Sequence, residues 1–297
     1  MKDKMIPLEM VLDALFTDYM ERVPDVARIV DALIQRKIIK RSEDIVNDHI
    51  AFRTLGAPNL GIQSLERIFV RLGYQKRDYY YFPEKKLDAY WYAPPKEDLP
   101  RIFISELRVG ELSSTTQDIL SVYLKEVPDE PDFGYDFDKV SDTLDFIKKP
   151  LWEKPTSIDY YQLSQESEYA AWVICNRYYL NHYTMSVHAF KEPYHTLAYF
   201  NGFLEDVGIV LNDSGGKIKT SKDGLLKQSS SVASMVDYYF ADGVCMKVPG
   251  SYVEFAERLP VPSGDTSKIV RREGFEADNA DKIFESTYES QRRDRAD

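Results

Sequence analysis

Cysteine is almost absent from this chain of 297 residues: only Cys175 and Cys245 occur, far apart and without CxxC spacing. That excludes a disulfide framework and a thiolate zinc site. Basic residues are outnumbered, leaving a formal net charge of −11. Nonspecific nucleic-acid binding needs clusters of phosphate-neutralising Lys and Arg, and docking on anionic membranes needs the same sign of charge, so both are disfavoured. Also missing is any apolar run of about 18 residues, the length that spans a bilayer. The start, Met1-Lys2-Asp3-Lys4-Met5-Ile6-Pro7, carries an acid and leads into an amphipathic pattern rather than a signal peptide. The expectation is a soluble, cytoplasmic protein with neither nucleic-acid nor membrane partners. What is abundant is apolar and aromatic: 43% hydrophobic residues, with 21 Tyr and 15 Phe. This is ample for a packed core, and the length suits one large domain or two ordinary ones.

Helical spacing organises residues 1–46, where Leu8, Val11, Leu12, Leu15, Phe16 and Tyr19, then Val26, Ile29, Val30, Leu33 and Ile34, recur on one face. The pattern changes at Asn47-Asp48-His49-Ile50-Ala51-Phe52-Arg53-Thr54-Leu55. Alternation along a strand puts His49, Ala51 and Arg53 on one face. A neutral imidazole, good for a first-row metal, then shares a surface with a guanidinium that can grip a carboxylate through two parallel hydrogen bonds. Read alone, the segment is also an ordinary half-buried strand end. A helical stripe closed by Gly73 follows, then strand-like runs at 74–82, 87–92 and 101–109, so residues 47–112 read as a βαβββ module.

Prolines interrupt residues 113–178, which read as a helical insertion. The pattern then returns over 179–262. His182, Thr184, Ser186 and His188 alternate on a strand, a helical stripe ends at Gly208, and strand-like runs follow around 209–212, 225–232, 234–240 and 246–255. From His49 to Gly73 is 24 positions and from His182 to Gly208 is 26. Each half closes on a strand with a carboxylate before an apolar residue, Ile104-Ser105-Glu106-Leu107 and Tyr252-Val253-Glu254-Phe255. An internal repeat of this kind weighs more than any single motif. The polar segment 263–297 holds a short helical pattern around Phe275, Ala280, Ile283 and Phe284 that can fold back, and an end, 291–295, expected to fray.

Paired modules of this kind resemble the vicinal oxygen chelate superfamily, which includes glyoxalases and extradiol dioxygenases. The fold class this implies is α+β: two βαβββ modules forming a cupped, mostly antiparallel sheet around a metal site, in one compact catalytic domain. More specifically, the chain resembles the 2-oxoadipate dioxygenase/decarboxylase (hydroxyglutarate synthase) family. The resemblance rests on Asn47 to Thr54, Ile104 to Leu107, Asn181-His182-Tyr183-Thr184 and Tyr252-Val253-Glu254-Phe255-Ala256-Glu257-Arg258, with Ile283 to Thr287 adding a little. It implies metal ligands at His49, His182 and Glu254, a two-histidine, one-carboxylate set of the kind used by non-haem Fe(II) oxygenases. It also implies a substrate-carboxylate arginine at Arg53, the cofactor Fe(II) (or Zn, Ni or Mn as purified), and two small-molecule partners, a 2-oxo acid and O2. The acid would be shortened to a 2-hydroxy acid with loss of CO2.

Several positions stay open. Glu106 is either a fourth ligand in a glyoxalase-like lyase or isomerase site, or a residue that orients a ligand or a metal-bound water. His188 is either a partner of the ligands or an ordinary core histidine. Gln228 and Ser230, alternating on one strand face, are candidate substrate contacts, although an exposed edge explains them equally. A metal-free small-molecule binding protein on the same scaffold is the third functional class.

Overall fold

In the computed structural model, residues 5–262 and 269–291 are described; the frayed end expected at 291–295 lies, from 292 onward, outside them. Two amphipathic helices, α1 (Met5–Arg22) and α2 (Pro24–Gln35), come first. Pro24 sits in the first turn of α2, where its missing N–H costs nothing, and Val26, Ile29, Val30 and Leu33 bury one face. The first module follows as β1 (Asn47–Gly56), α3 (Ile62–Arg71), β2 (Gln75–Phe82), β3 (Leu87–Ala93) and β4 (Arg101–Arg108). Residues 113–178 carry α4 (Ser114–Leu124), α5 (Val140–Lys148), α6 (Ser157–Glu166) and α7 (Glu168–Asn176). Ser113, Thr156 and Ser167 cap α4, α6 and α7 through their side-chain oxygens.

The second half contains β5 (His182–Ser186), α8 (Leu197–Asp206), β6 (Lys219–Thr220), β7 (Leu226–Ser230), β8 (Met235–Tyr239), β9 (Cys245–Pro249) and β10 (Tyr252–Arg258), and α9 (Ala277–Phe284) follows it. All strands except β8 and β9 join one eight-stranded sheet in the order β2-β3-β4-β1-β5-β10-β7-β6. Its two halves mirror each other: β1 runs parallel to β4 and β5 parallel to β10, and the halves meet at an antiparallel β1–β5 seam. The remaining pairs are antiparallel. The two first strands therefore lie side by side at the centre, and the two last strands flank them.

The sequence pattern misassigns one part of this. The run 234–240 is not a strand of the module. It pairs with β9 as a separate two-stranded ribbon inserted before β10. The expected strand at 209–212 is reduced to a single bridge, Leu211 to Ser231. The sheet position goes instead to the short β6.

The helix ends of the two halves are built alike. After α3, the N–H of Gly73 bonds to the Val70 carbonyl and that of Tyr74 to Phe69; after α8, Gly208 bonds to Glu205 and Ile209 to Leu204. Both are Schellman closures, which need the left-handed backbone that Gly73 (φ 101°) and Gly208 (φ 80°) supply. Residues of β1 that point away from the seam's inner face pack on α3, with the Phe52 and Phe69 rings 5.4 Å apart. The opposite face is covered by α7 and α9. Among the described residues no helix is long and apolar enough to cross a membrane.

Candidate metal centre

Side-by-side pairing of β1 and β5 decides where the histidines fall. His49 pairs with Thr184 and Ala51 with His182, so both imidazoles rise from the same face at the seam. On β10, parallel to β5, Tyr252 pairs with His182 and Glu254 with Thr184, placing the carboxylate on that face too. The Glu254 Oε2 lies 3.0 Å from His182 Nε2 and 3.4 Å from His49 Nε2, and the two Nε2 atoms are 3.3 Å apart. All three residues are buried, and among the described residues they form the one group that could hold a metal ion.

Each of the three side chains is oriented from behind. His49 Nδ1–H donates to Asp48 Oδ1 at 2.8 Å, and His182 Nδ1–H donates to Asn181 Oδ1 at 3.0 Å. With both Nδ1 atoms engaged, both Nε2 lone pairs face the centre, the arrangement a metal-binding histidine requires. Gln228 Nε2 donates to Glu254 Oε1 at 2.7 Å and leaves Oε2 for the histidines, while Asn279 of α9 donates to Gln228 Oε1. Asp48 adjoins His49 in the chain and would ordinarily face the other way. A β-bulge between Asn47 and His49, where two residues of β1 oppose one of β5, turns it to the imidazole. Its carboxylate is gripped by Arg258, Nε to Oδ2 at 2.6 Å and Nη2 to Oδ1 at 2.9 Å, deep in the core.

The electrostatics are those of a site short of positive charge. Burial disfavours the imidazolium of His49, yet Glu254 and Asp48 outweigh it and hold its pKa above the usual value. For His182 burial prevails and its pKa falls. Burial would raise Glu254, but the two imidazoles hold it well below the carboxylate range. Burial likewise works against ionised Asp48, and Arg258 reverses it, so Asp48 stays anionic and can only accept from His49. Two neutral imidazoles and one carboxylate fit a divalent first-row metal with positions left open.

Beside the triad is a small cavity, lined among others by Arg53, Phe103, Tyr252, Phe275 and Phe284. Arg53 lines it and is 1% exposed. Its Nη1 donates to Thr287 Oγ1 and its Nη2 to the Phe284 carbonyl, while Nε has no partner. The rings of Tyr169, Trp172 and Phe284 lie within 5.1 to 5.5 Å of the guanidinium carbon. No carboxylate among the described residues pairs with it.

The other expected site residues lie elsewhere. Glu106 pairs in register with Thr54, one residue off the inner face, and its Oε2 accepts the N–H of Ile62 at 2.7 Å, at the start of α3. Gly61 takes a left-handed φ of +83°, where any side chain would be strained, and a Cβ there would also displace that same oxygen. Glu257 does the same for α8, accepting the N–H of Leu197 at 2.7 Å. Glu106 therefore corresponds to Glu257 and not to Glu254; it neither ligates the centre nor orients a ligand, and the four-ligand alternative loses its fourth member. The residue that does correspond to Glu254 is Phe103, two positions past the partner of His49 as Glu254 is two past the partner of His182. His188 lies beyond the end of β5, and its Nδ1 accepts the Arg258 N–H at 3.2 Å, away from the cavity. Gln228 reaches the cavity but is committed to Glu254 and Asn279, and Ser230 is bonded to Ser286. The sequence reading did not single out Asp48, Asn181, Arg258, Phe103 or Tyr252, although each lies within or beside the quoted motifs.

The family profile described as 2-oxoadipate dioxygenase/decarboxylase matches residues 11–269. The chain belongs to this family. It is 42% identical to the chloroplastic 2-oxoadipate dioxygenase/decarboxylase of Arabidopsis thaliana, covering 95% of this chain and 77% of that one. It is equally 42% identical to the chloroplastic/amyloplastic enzyme of Oryza sativa, over 92% of this chain and 76% of that one. The crystal structure of the hydroxyglutarate synthase from Oryza sativa in complex with 2-oxoadipate superposes with a TM-score of 0.85 at 41% identity, covering 97% of this chain and 94% of that one. Both plant relatives are named for plastids, which overturns the cytoplasmic placement expected from the sequence. Net charge and the lack of an apolar run describe how a chain meets water and lipid, and carry no compartment address.

Proposed function

We propose that this protein is a non-haem Fe(II) dioxygenase/decarboxylase that converts a 2-oxo dicarboxylic acid of the 2-oxoadipate type to a 2-hydroxy acid one carbon shorter. The observation that carries this reading is Arg53. A buried guanidinium without a carboxylate partner is costly, and it persists where a ligand supplies the missing charge. It lines the same cavity as the triad, so an acid held there can present its other end to the metal. The names of the relatives, and the 2-oxoadipate bound in the rice structure, support the same substrate class.

His49 Nε2, His182 Nε2 and Glu254 Oε2 would hold the ion. Iron bound there supplies chelation of the 2-oxo acid and the activation of dioxygen. The protein's own contribution is orientation. Asp48 and Asn181 fix the two imidazoles, Gln228 fixes the carboxylate, and Arg53 fixes the distal end of the substrate. Phe103, Phe275 and Phe284 line the cavity with apolar surface and keep bulk water from the reacting carbon. The overall reaction balances as one O2 consumed and one CO2 released per 2-oxoadipate, giving 2-hydroxyglutarate. A charge-assisted contact contributes about 1.5–3 kcal/mol, so Arg53→Ala should weaken the acid about tenfold to a hundredfold while metal binding persists. The test is an oxygen electrode with anaerobically Fe(II)-loaded protein and 2-oxoadipate, following CO2 in parallel. Equal molar uptake and release supports the reading; CO2 release without oxygen uptake, or no turnover of any C4 to C7 2-oxo acid, contradicts it.

A further inference from the structure

Arg53 is not the only unsatisfied donor in the cavity. Tyr252 begins β10, two residues before Glu254 on the same strand face, and packs its ring on His182 with centroids 4.8 Å apart. It is fully buried and lines the cavity, and its hydroxyl makes no hydrogen bond of ordinary length and angle, with the Arg53 guanidinium and the Ser286 side chain its nearest polar neighbours. Ser286 is already bonded to Ser230 and Asn212. A buried phenol normally finds a partner, because leaving one unpaired forfeits its hydration for nothing. Here the orphan phenol and the orphan Nε–H of Arg53 face one small cavity. A carboxylate, which accepts on both oxygens and donates on neither when ionised, is the group that satisfies both donors together.

We infer that Tyr252 is a substrate-binding and specificity-determining residue: its hydroxyl donates to the distal carboxylate of the acid, alongside Arg53. This rests on the functional reading above and deepens it. A selectivity follows from the geometry. The hydroxyl distinguishes a 2-oxo dicarboxylic acid from a 2-oxo monocarboxylic acid of equal length, because only the former has an acceptor at that end. A site built to donate to a group discriminates strongly against the analogue lacking it, since its buried donors are then left unpaired.

The experiment compares wild type with Tyr252→Phe, which keeps the ring against His182 and removes only the hydroxyl. Metal-loaded protein is titrated under nitrogen with 2-oxoadipate and with 2-oxohexanoate, and the melting temperature of each protein is recorded without ligand. The expected result is a Kd for 2-oxoadipate raised about tenfold or more, an unchanged Kd for 2-oxohexanoate, and a melting temperature equal to or above wild type because an unpaired buried hydroxyl is gone. Equal 2-oxoadipate affinity in the two proteins overturns the assignment, as does equal weakening for both acids, which marks a shape effect. A lower melting temperature also overturns it, because the hydroxyl then has a structural partner. Wild-type protein that binds 2-oxoadipate no better than 2-oxohexanoate overturns the functional reading, and this assignment with it.

Discussion

Asp48→Asn replaces one oxygen by an amide and isolates the support behind His49. Asp48 Oδ1 accepts from both His49 Nδ1 and Arg258 Nη2, and Oδ2 accepts from Arg258 Nε. An asparagine has one acceptor and one donor at those places. In one orientation its amide N–H meets the Arg258 Nε–H. In the other it meets His49 Nδ1, which must then give up its proton to Nε2 and cease to be a ligand there. Either way the buried Arg258, which also donates to the Arg272 and Gly274 carbonyls, loses its counter-charge. Breaking a buried ion pair costs about 3–5 kcal/mol. At roughly 2–4 °C per kcal/mol for a large domain, the melting temperature should fall by on the order of 10 °C. Loss of a carboxylate behind a ligating histidine costs about 10- to 100-fold in metal affinity. Differential scanning fluorimetry reads the first quantity, and competition with a chromophoric chelator for Zn(II) reads the second. An asparagine variant that melts within about 2 °C of wild type and binds metal within about twofold would refute the reasoning.

Three further outcomes follow from the geometry. Glu106→Ala and Glu257→Ala each strip the carboxylate from a helix N-terminus, so each should destabilise by about 1–3 kcal/mol in chemical denaturation, with metal stoichiometry unchanged; loss of metal in Glu106→Ala would restore it to the site. Phe103→Glu installs a carboxylate at the counterpart of Glu254 and should raise Zn(II) affinity while abolishing oxygen uptake; unchanged affinity would show that the two halves are not equivalent there. Glu166 accepts the backbone N–H and hydroxyl of Ser113, and its pKa is lowered to about 2: burial opposes this, and the Ser113 hydroxyl is the foremost group that prevails. A depressed carboxyl pKa stabilises fully above the ordinary glutamate value and loses that contribution as pH falls toward the folded value. The melting-temperature gap between wild type and Glu166→Gln should therefore be present at neutral pH and close between about pH 4.5 and 2; a gap that stays constant over that range would contradict the assignment.

How much of this was legible in the sequence depends on the range of the signal. The first strands and helix-ending glycines of both halves are local patterns, with periods of 2 and 3.6 residues, and they located β1, β5, α3 and α8. The two closing glutamates were matched by their letters, Ile-Ser-Glu-Leu against Tyr-Val-Glu-Phe, and that match is three residues out of register. Because the strand period is 2, an odd slip carries a side chain to the opposite face, which is why Glu106 was assigned near the metal when it lies against α3. The support behind His49 was beyond reach for another reason. Asp48 reaches the imidazole through a bulge, and its partner Arg258 lies 210 positions away, a pairing fixed by the sheet order and by no local pattern. The separate β8–β9 ribbon escaped for the opposite reason: its two runs, Met-Val-Asp-Tyr-Tyr and Cys-Met-Lys-Val-Pro, are as apolar as strands of the sheet, so local composition could not exclude them.

The central claim is that residues from three strands converge on one ion. Crystals grown or soaked anaerobically with Fe(II), measured at the iron absorption edge, test it by anomalous scattering. One strong peak is expected within bonding distance of His49 Nε2, His182 Nε2 and a Glu254 carboxylate oxygen, lost in His182→Ala. A peak at any other set of side chains, or none from protein shown to bind one iron per chain in solution, would contradict it.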